Sequence, residues 1–312
     1  MTTDCTGRIA SRSEQTIAAY RQRVHDLRLM AEREDRAGGD MLELTGWFCA
    51  QDERWSPSTV RQYRAAILMA LETLPFHPTA RTLLVERLRR GPLPTNSGPR
   101  KTSAKKRKSL PIAQFTRLEQ FLHDSGRSDD KLIRGFLVFG AALFLRPVEY
   151  LNARVEGMML MVQNAKATNG RGNGEERARD LQSMGKKAIA ALVKFVERLR
   201  TAVQEAGAWK KLHNRLASRL ARICKCLGIA RVSLYTLRHV GMATAKSWMA
   251  PEEVAASAGH ASVHTAMTHY AKRRTGWVGL RLAGRPSPAS VARVRGAAQV
   301  FRPSGQTMCQ WK

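Results

Sequence analysis

Two arginines, a histidine and a tyrosine recur in this sequence at intervals that suit attack on a phosphodiester without a metal. Arg146 opens Arg146-Pro147-Val148-Glu149, and Arg238 lies in Tyr235-Thr236-Leu237-Arg238-His239. His260 follows Gly259, and Tyr270 sits in Thr268-His269-Tyr270-Ala271. A phosphodiester anion repels nucleophiles, so fixed donors must first neutralise its nonbridging oxygens. Guanidinium forks bind two oxygens at once and stay charged at any working pH, which makes Arg146 and Arg238 the expected clamp. Tyr270 is the expected nucleophile. With an ordinary phenol pKa of ~10 it needs a proton acceptor and a positive environment. The resulting phosphotyrosine conserves the energy of the broken bond, so a second DNA end can reverse it with no ATP and no cofactor. His260 is expected to hold a further phosphate oxygen or to assist proton movement, and Glu149 to brace Arg146.

The elements that must position these groups are mostly helical. Ser11 to Glu14 has the form of a capping box, followed by Ile17, Tyr20, Val24, Leu27 and Ala31 at helical spacing. Ser56-Pro57 is a second strong start, leading an apolar face of Val60, Tyr63, Ile67, Ala70, Leu71 and Leu74, and Met41 to Ala50 fits a shorter helix between them. After Pro111 the pattern predicts helices near 111–124 and 130–145, the latter apolar almost all round and therefore buried. Met158 to Val162 reads as a strand, Asn169 to Gly174 as a hairpin tip and Ala178 to Leu181 as the return. Lys166, near that tip, is placed to enter the minor groove and protonate the leaving 5′ hydroxyl. From 185 to 270 the chain is again mostly helical, with breaks at Gly207, Gly228 and Gly259.

A formal charge of +28 on 312 residues creates a field that nucleic acid or an anionic membrane would meet. No run of about 18 apolar residues occurs and the start lacks a signal-peptide pattern, so a soluble, cytoplasmic, nucleoid-associated protein is expected. The five cysteines are scattered. Cys224-Lys225-Cys226 lacks the second pair of ligands that a structural zinc site requires. Residues 1–90 read as a helical DNA-binding domain, 91–109 as a basic linker, 110–275 as the catalytic domain and 276–312 as a basic tail. Arg100, Lys101, Lys105, Lys106, Arg107 and Lys108 in the linker are expected to lie along phosphates, with Lys101 or Lys105 as fallback for the hairpin lysine. In the tail, Trp277 and a helix from Pro288 to Val300 are candidates for docking on a neighbouring copy.

Taken together, these motifs resemble the tyrosine recombinase, or phage-integrase, family. Arg146 and Glu149 match its Arg-x-x-Glu box, and Leu237, Arg238 and His239 its second arginine. Gly259 and His260 match the Gly-His box, Tyr270 the nucleophile and, more loosely, Lys166 the hairpin lysine. The resemblance covers residues 10 to 275 and implies a mainly α fold with a small β-hairpin or sheet: a helical core-binding domain and an α+β catalytic domain clamped around double-stranded DNA. It also implies a tetramer on paired sites, with accessory DNA-bending proteins in some members, and strand exchange that integrates or excises a mobile element. The absence of room for an arm-binding domain before residue 11 suggests a small core-site architecture. Two departures stand out. Tyr235 replaces the family's His or Lys three residues before the second arginine, and the interval from His260 to Tyr270 is one residue longer than usual. That extra residue turns a regular helix by about 100°, so a loop or bulge must absorb it. The departures motivate a catalytically inactive DNA-binding protein as an alternative, and a type IB topoisomerase-like enzyme would share the same groups.

Overall fold

The computed structural model describes residues 12–34, 40–75, 77–95, 107–167, 172–277 and 284–296. It divides into two compact units, Met1–Ala104 and Lys105–Lys312.

In the first unit, helices α1 (Glu14–Glu32), α2 (Met41–Cys49), α3 (Pro57–Glu72) and α4 (Pro78–Arg90) enclose a core of Val24, Leu27, Leu44, Phe48, Ile67, Leu71, Leu84 and Leu88. Ser13, rather than Ser11, caps α1, because its hydroxyl reaches the Thr16 amide; Ser11 lies outside the described residues. Ser56 and Pro57 start α3 as expected, while Leu74 falls past the end of the helix and is exposed. Phe48, Trp55 and Tyr63 form an edge-and-stack cluster, with the Arg54 guanidinium 5.1 Å from the Trp55 ring.

The second unit is mainly helical with one small sheet. Its elements are α5 (Ile112–Asp124), α6 (Ser128–Leu143), β1 (Arg154–Glu156), β2 (Met159–Gln163), β3 (Glu176–Asp180), α7 (Gly185–Ala206), α8 (Trp209–Cys226), α9 (Thr236–Ala245), α10 (Pro251–Ser257), α11 (Val263–His269) and α12 (Pro288–Ala292). The sheet is antiparallel in the order β1-β2-β3, with Leu160 opposite Arg179 and Val162 opposite Arg177. β1 was not foreseen: three residues with a charge at each end give no alternating apolar signal. Alternation along β3 turns Arg177 and Arg179 inward, so both buried side chains of this strand are guanidinium groups.

Two features of α6 set the position of the site. The helix stops at Leu143, two residues short of the expected end, because Phe144 adopts the left-handed conformation at φ 39°, ψ 39°. A bulky residue is strained there. The turn aims two carbonyls inward: Leu143 O accepts from Arg179 and Phe144 O from Arg238. In addition, α6 packs closely on α9, the helix that carries Arg238, through Gly241, where an added Cβ would overlap the Ala141 carbonyl.

The C-terminal segment departs from expectation. Residues 284–296 pack on their own unit, beside β3. Asp180 N donates to Arg285 O at 3.0 Å and Ser287 N to Ala178 O at 3.1 Å, while Arg295 exchanges backbone bonds with Ala261 and Val263. The helix expected from Pro288 to Val300 is only Pro288–Ala292, with Val294 against the core; Ala297 and Val300 lie outside the described residues. Trp277 also belongs to this unit's core, since its indole N–H donates to Leu110 O at 2.8 Å and its ring sits 4.8 Å from Phe115. Among the described residues, no helix is long and apolar enough to cross a membrane.

Gly241→Ala forces a methyl against backbone that cannot swing away, and should lower the unfolding free energy by about 1–3 kcal/mol. Gly296→Ala, which meets open space, should be near neutral. Denaturant titration of both variants, followed by circular dichroism, checks the difference.

Candidate active site

One carboxylate organises the cationic groups. Glu149 lies in the short 3-10 helix Pro147–Asn152 with its side chain fully buried. Its Oε1 takes the Arg146 guanidinium at 2.6 Å, and its Oε2 takes the Arg146 backbone N–H and Arg177 Nη2, each at 2.8 Å. Arg238 Nη1 stands 3.9 Å from Oε2, and the Ala165 amide donates to Oε1 at 3.3 Å. Burial alone would push the Glu149 carboxyl up, but Arg177, Arg238 and Arg146 outweigh it and hold the group well below the usual carboxylate range.

Arg238, on the first turn of α9, is also fully buried. Its Nη1 donates to Phe144 O and its Nη2 to Ala258 O at 2.8 Å, leaving Nε 3.3 Å from the Tyr270 phenol oxygen. His260 follows the α10 turn, where Gly259 has φ +69° and an added Cβ would run into Asn164 and Arg177. Its Nε2 lies 3.2 Å from Arg238 Nη2 and 3.3 Å from the Tyr270 oxygen. A guanidinium only donates, so Nε2 is the unprotonated nitrogen and Nδ1 carries the hydrogen; among the described residues Nδ1 has no hydrogen-bond partner. Burial, with Arg238, Arg146 and Arg177 nearby, pushes His260 down to about 2, so the ring is neutral.

Tyr270 is where these groups meet. Helix α11 ends at His269, and Tyr270 follows in extended backbone at φ −106°, ψ 163°. The next carbonyl, Ala271 O, is held by Lys246 Nζ at 2.9 Å, a contact that no sequence motif marks. Tyr235, just ahead of α9, brings its hydroxyl to 2.8 Å from the Tyr270 hydroxyl. Burial raises both phenols. For Tyr270 that is overcome by Arg238, the hydrogen bond from Tyr235 and Arg146, so its pKa falls below the ordinary value, whereas that of Tyr235 stays raised. The pair therefore has a direction: Tyr235 keeps its proton and donates, and Tyr270 is the phenol that ionises first.

The structure thus brings Arg146, Arg238, His260, Tyr235 and Tyr270 into one cluster around Glu149. It does not bring Lys166 there: this lysine is exposed in the turn after β2, and among the described residues it makes none of the cluster's hydrogen bonds. Arg107 is also placed differently from the expected phosphate contact. Its guanidinium donates to Ser109 O, Ala230 O and Gln114 Oε1 at 2.8, 2.7 and 2.6 Å, which pins the chain entering α5 to its own unit. Lys108 is exposed and reaches His269 O at 3.4 Å; Arg100, Lys101, Lys105 and Lys106 lie outside the described residues. The His239 ring lies 5.0 Å from the Tyr270 ring at a tilt of 41°, and burial pushes it down to about 4. Sequence reasoning missed Arg177 and Asn164, whose signal was only their place in the hairpin. Among the described residues, no three His, Cys, Asp or Glu side chains are grouped to hold a metal.

Because Tyr235 donates to the ionising phenol, Tyr235→Phe should raise the Tyr270 pKa. The phenolate, which forms as pH rises through that pKa, should then appear at higher pH, with the midpoint moved up by about 1 pH unit or more. Ultraviolet difference titration against Tyr270→Phe measures this directly, and an unmoved midpoint would show that Tyr235 makes no such bond in solution.

No protein-family model matches the sequence, and no curated protein matches it. Among solved structures, the chain is similar to XerH site-specific recombinase bound to its difH substrate in a pre-cleavage complex, with 14% identity over 82% of this chain and 76% of that one and a TM-score of 0.47. It is similar to a lambda integrase tetramer bound to a Holliday junction, at 13% identity over 86% and 74% of the two chains and a TM-score of 0.44. A protelomerase covalently complexed with substrate DNA is similar at 16% identity over 88% and 92%, with a TM-score of 0.46.

Proposed function

We propose that this chain is a site-specific tyrosine recombinase that breaks and rejoins DNA through a 3′-phosphotyrosyl intermediate, integrating or excising a mobile element. The observation that carries the reading is the convergence of Tyr235, Arg238 and His260 on the phenol oxygen of Tyr270, at 2.8, 3.3 and 3.3 Å. Such a phenol, with its pKa lowered by guanidinium groups, is suited to attack an anion that the same groups attract.

In this reading a DNA phosphate enters between Arg146 and Arg238, which neutralise its nonbridging oxygens as charge builds on the pentacoordinate phosphorus. Burial and the nearby arginines together depress His260; the phosphate's negative charge offsets the arginine part, so the Nε2 lone pair becomes a better acceptor for the Tyr270 proton. The phenol oxygen bonds to phosphorus, the bond from phosphorus to the 5′ oxygen breaks, and that oxygen takes a proton. Lys166 is the donor in this scheme, reaching the DNA from the exposed hairpin arm. A 5′ hydroxyl from another strand then attacks the phosphotyrosine and releases Tyr270. Double-stranded DNA is the partner, four copies on paired sites are the working assembly, and the cytoplasm is its place. The charge of +28 supports the polyanionic partner.

A suicide DNA substrate drawn from sequences flanking the gene, incubated without added metal, tests the reading. The parent chain should leave a denaturation-resistant protein–DNA adduct, and Tyr270→Phe should bind the DNA yet leave none. Arg238→Lys should lose about 100-fold or more in cleavage, because an ammonium cannot reproduce the fork. Absence of adduct from the parent on DNA that it binds specifically would overturn the reading in favour of an inactive DNA-binding protein.

A further inference from the structure

Arg177 sits on β3 with its side chain wholly buried. A buried guanidinium is costly unless every donor is used. Here each edge of the group is bonded: Nη2 to Glu149 Oε2 at 2.8 Å, Nη1 to Asn164 Oδ1, and Nε to Ser257 O at 3.1 Å. Every one of those partners adjoins a different part of the site. Glu149 holds Arg146 at 2.6 Å. Asn164 closes the base of the hairpin, donating to Asn173 O and Gly174 O at 3.0 and 2.8 Å, and the arm that carries Lys166 begins there. Ser257 ends α10, immediately before the turn that presents His260.

On the reading that Tyr270 attacks DNA, we infer that Arg177 is a positioning residue that fixes Glu149, the hairpin base and the His260 turn relative to one another. The geometry shows what its loss would do. Without Arg177, Oε2 keeps the Arg146 backbone amide and faces Arg238 Nη1 across 3.9 Å. The carboxylate then turns to close that gap, drawing the Arg238 fork toward itself and away from the Tyr270 oxygen, which Nε now approaches at 3.3 Å. A hydrophobic residue of similar length would fill the strand position but would leave this second pairing open. Arg179, two residues along the same strand, differs: its Nη1 and Nη2 donate to Leu143 O and Gly284 O, and among the described residues it hydrogen-bonds none of the catalytic groups.

The test uses the full chain with Arg177→Met, Arg177→Lys, Glu149→Gln and the Arg177→Met/Glu149→Gln double variant. Each is checked for folding by circular dichroism and for DNA affinity. A positioning role predicts that Arg177→Met slows single-turnover cleavage by about 10- to 100-fold at unchanged DNA affinity, by analogy with other outer-shell partners. Arg177→Lys should recover part of that loss. Because part of the effect runs through Glu149, the double variant should lose less than the product of the two single losses. Parent-like cleavage by Arg177→Met, or independent multiplication of the two losses, would overturn the inference. Should Arg177→Met fail to fold, Arg177→Lys and its combination with Glu149→Gln carry the same comparison. If the parent forms no adduct, the functional reading fails by itself, and isothermal titration with orthovanadate still reads the cluster. Oxyanion affinity at least about tenfold weaker in Arg177→Met supports the positioning role, and unchanged affinity overturns it.

Discussion

A single carboxylate sets the architecture of the second unit. Glu149 is sealed from solvent and can remain ionised only because Arg146, Arg177 and Arg238 surround it. These arginines come from the end of α6, from a strand and from the start of α9, so satisfying one buried charge requires that all three elements meet. The strained Phe144 turn and the close crossing at Gly241 are the local costs of that meeting, and both lie where α6 must deliver its carbonyls to Arg179 and Arg238.

Three guanidinium groups facing one carboxylate leave the interior positively charged before any ligand arrives. That surplus bears on two otherwise separate properties. It adds to the burial that keeps His260 neutral, and it makes Tyr270 a stronger acid than an ordinary phenol despite its burial. A phosphate relieves the same repulsion. The stability lost by packing cations together is therefore recovered when an anion of the right size enters, which is the pre-organisation that an oxyanion site requires.

Much of this was legible in the sequence, for reasons that differ from residue to residue. Ser56-Pro57 announces α3 because a cap and a fixed φ act locally. Gly207, Gly228 and Gly259 mark the helix ends because each takes a positive φ there. The residues that the structure brings together at Tyr270 are ones the sequence singles out by type and order, and Tyr235, which stands where the resemblance leads one to expect His or Lys, sits 2.8 Å from the Tyr270 hydroxyl. What escaped notice was set by tertiary contact. Arg177 and Arg179 carry no motif, since nothing nearby in sequence indicates that the inward face of β3 would be occupied by cations. Lys246 gave no motif, and Arg107 looked like the rest of a basic run although its donors are satisfied by its own unit. The tail read as free for a neighbour because its pairing partners at 178–180 and 261–263 are far away in sequence.

That pairing also bears on how the molecule behaves in a crowded solution. An uncovered β-strand offers a row of amides and carbonyls to any other strand it meets. Here residues 285–287 occupy the free side of β3, and the opposite border is the three-residue β1, whose Arg154 is bonded to Glu156 and Glu176. One border is thus covered and the other is short and charged, so the sheet gives a foreign strand little to extend. The same thirteen residues that steady the His260 turn protect a small, arginine-filled sheet from self-association.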